Sequence, residues 1–160
     1  MSLTIRDATP HDAGLVLQFI RDLAIYEKLE HEAVASEADL VRDLFSETPR
    51  VFCEIAEWDG APAGFALWFY TYSTFRGRHG IWLEDLFVQP DARGHGLGKA
   101  LLVAVAQMAV ERGCARLEWS VLDWNEPAIG FYRKLGARPM DEWRIMRVDG
   151  DALSDFGDQK

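Results

Sequence analysis

Two acids stand side by side in an apolar run, Glu84 and Asp85 in "IWLEDLFV", and soon afterwards glycine takes every second position, Gly94, Gly96 and Gly98 in "ARGHGLGK". Carboxylates in such a setting can hold a cation and accept its proton. A glycine-rich turn that opens a helix can hold an anion, because the first amides of a helix have no internal partner and its dipole favours negative charge there. A protonated amine fits the first role: with a pKa of about 10 it arrives charged and becomes a nucleophile only after losing a proton. A third stretch, "LDWNEPAIGFYRKLGA", puts Asn125 at a helix N-cap and Pro127 in the first turn, and places Asn125, Ile129 and Tyr132 on one face. Ala128, Phe131 and Leu135 fall on the neighbouring stripe, which leaves Tyr132 free of a necessary packing role.

The glycine turn is neither of two familiar phosphate motifs. A P-loop needs glycine where Arg93 stands and Ser or Thr where Ala100 stands, and a dinucleotide fingerprint needs its third glycine at Lys99. His11, His31, His79 and His95 show no metal-ligand spacing, so no metal is expected. Cys53 and Cys114 carry no sequence sign of activation, and there is no GxSxG elbow.

The elements that must position these residues follow from periodicity. "TIRDA" reads as a strand; Thr9, Pro10 and Asp12 then open a helix whose apolar face is Ala13, Val16, Leu17, Ile20, Leu23 and Ala24 and which runs to about Leu29. Ser36 with Asp39 caps a second helix through "SEADLVRDLF". "VFCEIAEW", "AGFALWFYTY" and "IWLEDLFV" are three strands, expected to be antiparallel, with a turn at "DGAP". The glycine turn opens a buried helix that stops at Gly113. A strand "RLEWSVL", a helix from about Asn125 to Leu135 and a last strand around "EWRIMRV" complete the order, and the tail after Asp149 is expected to fray. The class is α+β in one domain spanning residues 1–160. In an ideal strand Glu84 and Asp85 point to opposite faces, so either a bulge brings both to one site or only one of them serves it.

The composition bounds the partners. A formal charge of -9 disfavours a nucleic-acid partner, and the longest apolar run, "ALLVAVA", is too short to cross a bilayer. The start "MSLTIRDATPHD" has no signal-peptide pattern, and two isolated thiols suit a reducing compartment, so a cytoplasmic location is expected.

The segment Arg93-Gly94-His95-Gly96-Leu97-Gly98, after an acidic strand and Pro90, resembles the pyrophosphate-binding segment of the GNAT N-acetyltransferases: Arg or Gln, two residues, Gly, one residue, Gly or Ala. "LAIYEKLE", "WFYTYSTFRGR", "LEDLFVQPDARGHGLG", "WNEPAIGFY" and "EWRIMRVDGDAL" lie in the order and spacing of the diamine (spermidine/spermine) acetyltransferases and their thialysine-acetylating relatives, so the resemblance covers nearly the whole chain. It implies the GNAT fold, a mixed and mostly antiparallel sheet flanked by helices. It also implies acetyl-CoA as co-substrate, a small-molecule amine acceptor and a homodimer that builds the amine site from both chains. Carried over position by position, it makes Glu84 the base and Tyr132 the proton donor to the departing sulfur. Leu86, Phe87 and Val88, the turn from Arg93 through His95 and Leu97 to Lys99, and Asn125, Pro127 and Tyr132 would hold the cofactor. Tyr26, Glu27, Glu84, Asp85 and Trp143 would hold the amine. Phe75 departs from the tryptophan that several diamine enzymes carry, and "STFRGR" is basic beside a would-be polycation site. Two other readings stay open, the same transfer to a protein or peptide amine and a non-catalytic acyl-CoA-binding module.

Overall fold

The computed structural model describes residues 1–159. The chain forms two compact units, Met1–Ser120 and Val121–Lys160. In the first, β1 (Leu3–Asp7), β2 (Phe52–Trp58), β3 (Ala61–Ser73), β4 (Arg78–Val88) and β5 (Leu117–Glu118) make one sheet in the order β1-β2-β3-β4-β5. The first three pairings are antiparallel and β5 joins β4 in parallel, giving the mixed, mostly antiparallel sheet that was expected. The Asp59–Gly60 turn between β2 and β3 has both residues at positive φ, the backbone of a tight hairpin.

Strand alternation sends Cys53, Ile55, Phe65, Leu67 and Phe87 to one face of this sheet. There they meet Val16, Leu17 and Phe19 of α1 (Ala13–Tyr26) and Leu40 and Leu44 of α2 (Glu37–Leu44). The opposite face is covered by α3 (Leu97–Glu111), whose Leu97, Leu101, Leu102 and Val105 are buried. The Asp12 carboxylate fixes the entry to α1: it accepts from Thr9 N at 2.7 Å and is gripped by Arg6 of β1 at 2.8 and 3.0 Å, while Arg6 Nε donates to Glu57 of β2 at 2.7 Å. The Arg6 guanidinium holds Asp12 down at about 2. Ser36 and Asp39 form the expected reciprocal cap on α2.

The register of β4 against β3 jumps: Leu67 pairs with Asp85, but the next residue, Trp68, pairs with Leu83. Glu84 is left unpaired in a bulge, so Asp85 shares the α1 face with Leu67 while Leu83 shares the α3 face with Trp68. On its other side β4 pairs with β5 at Ile81 and Trp82, and among the described residues no strand pairs with its stretch from Leu83 to Val88 on that edge.

The second unit holds α4 (Glu126–Lys134) and α5 (Gly150–Gly157). Asn125 Oδ1 accepts from Ala128 N at 3.4 Å and Pro127 sits in the first turn of α4, as the spacing predicts.

Several boundaries differ from the sequence reading. Helix α1 ends at Tyr26 rather than Leu29, with Lys28 already at a positive φ of 62°. The strand "RLEWSVL" contracts to Leu117–Glu118. The segment "EWRIMRV" has the composition of a strand but forms none, and among the described residues no strand pairs with it to satisfy its amides and carbonyls. The tail expected to fray forms α5 instead, with Asp149 at its N-cap and Asp151 in its first turn, where acids favour helix. No helix among the described residues is long and apolar enough to cross a membrane.

Candidate active site

In the first unit, the C-terminal end of α1, the bulged part of β4 and the glycine turn before α3 come together. Glu27 caps the end of α1, next to Tyr26. Glu84 is exposed and accepts from Trp82 Nε1 at 2.9 Å. Asp85, directed inward by the bulge, is partly enclosed, and burial, then the charges of Glu84 and Glu27, push its carboxyl up to about 7. Glu27 is likewise raised, first by burial and then by Glu84. The bulge puts Asp85 on the α1 face, and the charges of Glu84, Asp85 and Glu27 act on one another, a repulsion that a cation would relieve. Among the described residues no cluster of carboxylates, histidines or thiols is arranged to ligate a metal.

Beyond the trio, Phe87 is buried, Leu86 and Val88 are half-buried, and the chain leaves β4 through Gln89 and Pro90. Arg93 Nε donates to Val88 O at 3.0 Å, and its guanidinium lies over the rings of Tyr26 (5.3 Å) and Phe87 (5.7 Å). With Asp22, Ile25, Gln89 and Pro90 these residues line an open cavity of about 330 Å³. Gln89 Nε2 donates to Asp22 Oδ2 at 3.0 Å, tying the strand exit to α1.

The turn then presents backbone. Gly94 and Gly96 take φ of 84° and 83°, a region closed to most side chains, and Gly96 is the N-cap of α3 with no side chain satisfying the helix amides. Among the described residues the amides from Gly94 to Lys99 donate to no backbone or side-chain acceptor, whereas Arg93 N bonds Pro90 O and Ala100 N bonds Gly96 O. Gly98 is not forced by space or by backbone: a Cβ there would rest 3.8 Å from Val88 Cγ2, an ordinary packing distance. A row of unengaged amides at a helix head, beside a half-open strand edge, suits a diphosphate followed by an amide-bearing arm, so the residues present fit acetyl-CoA.

Asn125, Pro127, Tyr132 and Trp143 belong to the second unit. Asn125 is buried as the N-cap, Tyr132 is half-buried and Trp143 is exposed. Cys53 is buried beside carboxylates, which pushes its thiol up and leaves it unreactive, and Cys114 is a free thiol. Three contributors escape the sequence reading. Trp82 could have been found two residues before Glu84, but Asp22 and Gln89 meet across a separation that no local pattern encodes.

The acetyltransferase (GNAT) family profile matches residues 18–137, a stretch that begins in α1 and ends just past α4. The chain is 40% identical to the thialysine N-epsilon-acetyltransferase of Bos taurus, covering 95% of each protein. It is 34% identical to the L-ornithine N5-acetyltransferase NATA1 of Arabidopsis thaliana, covering 93% of this chain and 85% of that one. Among solved structures it is similar to an integron cassette protein from the mobile metagenome of V. cholerae, with a TM-score of 0.82, 30% identity and 99% of each chain covered. Since the profile takes in the carboxylate bulge, the amide turn and α4 alike, and a relative at 40% identity runs beside nearly the whole sequence, the chain belongs to the acetyltransferase (GNAT) family and is an N-acetyltransferase.

Proposed function

We propose that this protein moves an acetyl group from acetyl-CoA to a primary amine of a small diamine, polyamine or lysine-like acceptor, directly and without an acyl-enzyme. The charge coupling of Glu84, Asp85 and Glu27 at the β4 bulge, beside an amide-lined turn, carries the reading. The relatives named for thialysine and L-ornithine support an acceptor with an amine at the end of a short chain.

Bound acetyl-CoA supplies an acetyl group activated as a thioester. The chain's own residues do the rest. The amides from Gly94 to Lys99 hold the diphosphate, helped by the helix dipole of α3. The open edge of β4 at Leu86, Phe87 and Val88 aligns the arm, and the resemblance assigns Asn125 and Pro127 to the cofactor as well. Tyr26, Glu27 and Asp85 receive the acceptor's charged and apolar parts, and the resemblance adds Trp143. Glu84 takes the ammonium proton, directly or through a water, and so frees the lone pair. The Tyr132 hydroxyl gives a proton to the leaving sulfur. In this reading the two units work as one acetyltransferase domain, the protein acts in the cytoplasm and it works as a homodimer. The family profile crossing from one unit into the other supports the first of these.

A coenzyme A release assay across diamines, polyamines, thialysine, lysine and peptides tests this, run with the wild type and Tyr132→Phe. Turnover with short amines, falling at least tenfold in the variant while acetyl-CoA affinity holds, is the expected result. Release with peptides alone would overturn the acceptor class, and unchanged turnover in the variant would overturn the proton donor.

A further inference from the structure

The cofactor turn has a stiffness problem. His95 stands between Gly94 and Gly96, both in the left-handed region, and glycine gives a free chain the most conformations to lose. Amides that grip a diphosphate must already point at it, since ordering them at the moment of binding would cost affinity. Capping contributes nothing here, because α3 has no side-chain cap.

The imidazole of His95 lies flat on the indole of Trp58, with ring centroids 4.5 Å apart and planes 12° apart. Trp58 is well mounted. It is the last residue of β2, paired to Leu3 of β1 and to Ala61 of β3. The hairpin turn that follows is fastened by Ser2 N to Asp59 Oδ1 at 2.7 Å and by Asp59 N to Ser2 O at 2.8 Å. An exposed histidine at the tip of a glycine turn is thus laid on a tryptophan that three strands hold in place.

We propose that Trp58 is a positioning residue for acetyl-CoA: by stacking on His95 it holds the Gly94–Gly96 turn with its amides presented. Trp58 acts through His95 and takes no part in proton or acyl transfer. The inference rests on the glycine turn being the diphosphate site. It adds that the affinity of that site is set partly from the β2–β3 hairpin, a part of the chain remote in sequence from the turn.

The test compares wild type, Trp58→Ala, Trp58→Leu, Trp58→Phe, His95→Ala and the double alanine variant. KM for acetyl-CoA and kcat come from coenzyme A release at saturating amine, and Kd for coenzyme A comes from calorimetry. An aromatic stack of this kind corresponds to a change of about three- to tenfold. Both single alanine variants should raise KM and Kd by that factor, Trp58→Ala should leave kcat nearly unchanged, Trp58→Phe should restore most of the loss, and the double variant should be no worse than His95→Ala alone. Additive effects, or a Trp58→Ala enzyme with wild-type KM, would overturn the proposal. Trp58→Leu keeps apolar bulk without an aromatic ring, so it reads the stack even where Trp58→Ala folds poorly, and it should show the same rise in KM. A wild type that binds no coenzyme A would instead remove the underlying assignment of the turn.

Discussion

Asp85 answers two opposed demands. Set against β3 by the bulge and flanked by Glu84 and Glu27, its carboxyl is raised to about 7, so ionising it without a cation beside it is unfavourable. A bound ammonium reverses this by supplying the missing positive charge. In the free protein the folded form keeps the proton over a range where the unfolded chain, at its ordinary 3.8, has lost it. The folded state therefore loses stability as pH rises from about 4 to 7, and the loss stays constant above that. Asp85→Asn should then be more stable than wild type at pH 8, by an amount on the order of a few kcal/mol, with the difference vanishing near pH 4. Its KM for a diamine should rise about tenfold through loss of a charged partner. Scanning calorimetry at the two pH values, with amine kinetics, checks both halves. A variant less stable than wild type at pH 8 would mean that this charge is already compensated in the native protein.

The same physics operates at the level of elements on the other face of the sheet. Glu54 of β2 is only 5% exposed and accepts from Trp68 Nε1 of β3 at 2.6 Å. Beside it Arg112, just past α3, lies over the Trp68 ring at 5.4 Å and donates to Tyr70. Burial raises Glu54 to about 7 despite the tryptophan donor and Arg112, and Asp7 of β1 adds to the rise. Its sign matches that of Asp85: stability falls as pH climbs from about 4.5 to 7. Glu54→Gln keeps an acceptor for the indole without the charge, so its melting temperature should exceed that of wild type by about 2–8 °C above pH 7 and match it below pH 4.5. Thermal melts across that range decide the matter, and a Gln variant destabilised at every pH would show that the ionised form is favourably paired. Trp68 also stands at the register jump, which divides what was legible in the sequence from what was not. The three antiparallel strands, the Ser36 cap and the start of α4 follow from period-two patterns and capping residues, which are local. "LEDLFV" shows two acids in a strand but not which of them lacks a partner, because a bulge is a property of the pair β3–β4 and the choice lies with both. For the same reason the glycine turn is readable from its own residues, whereas the approach of Glu27 to Glu84, the Asp22–Gln89 bond and the Trp58–His95 stack depend on contacts between segments far apart in the chain.

At the scale of the whole molecule, the strand expected around "EWRIMRV" is the informative difference. Its composition is that of a strand, yet Trp143, Ile145 and Met146 are 75%, 74% and 88% exposed and no strand pairs with the segment among the described residues. In the proposed homodimer a second copy would cover these large apolar side chains. Burying these side chains would contribute on the order of 2 kcal/mol each, before the cost of association. Light scattering should therefore find twice the 18.1 kDa chain mass at micromolar concentration. Replacing Ile145 and Met146 together by Asp should give the monomer, because two charges would then be buried without partners. If Trp143 receives the amine in that assembly, the monomeric variant should keep its affinity for coenzyme A, measured by calorimetry, while KM for the amine rises. A wild type that scatters as a monomer at every concentration would remove the homodimer, and equal loss of cofactor and amine binding in the double variant would point to misfolding of the segment rather than to a shared site.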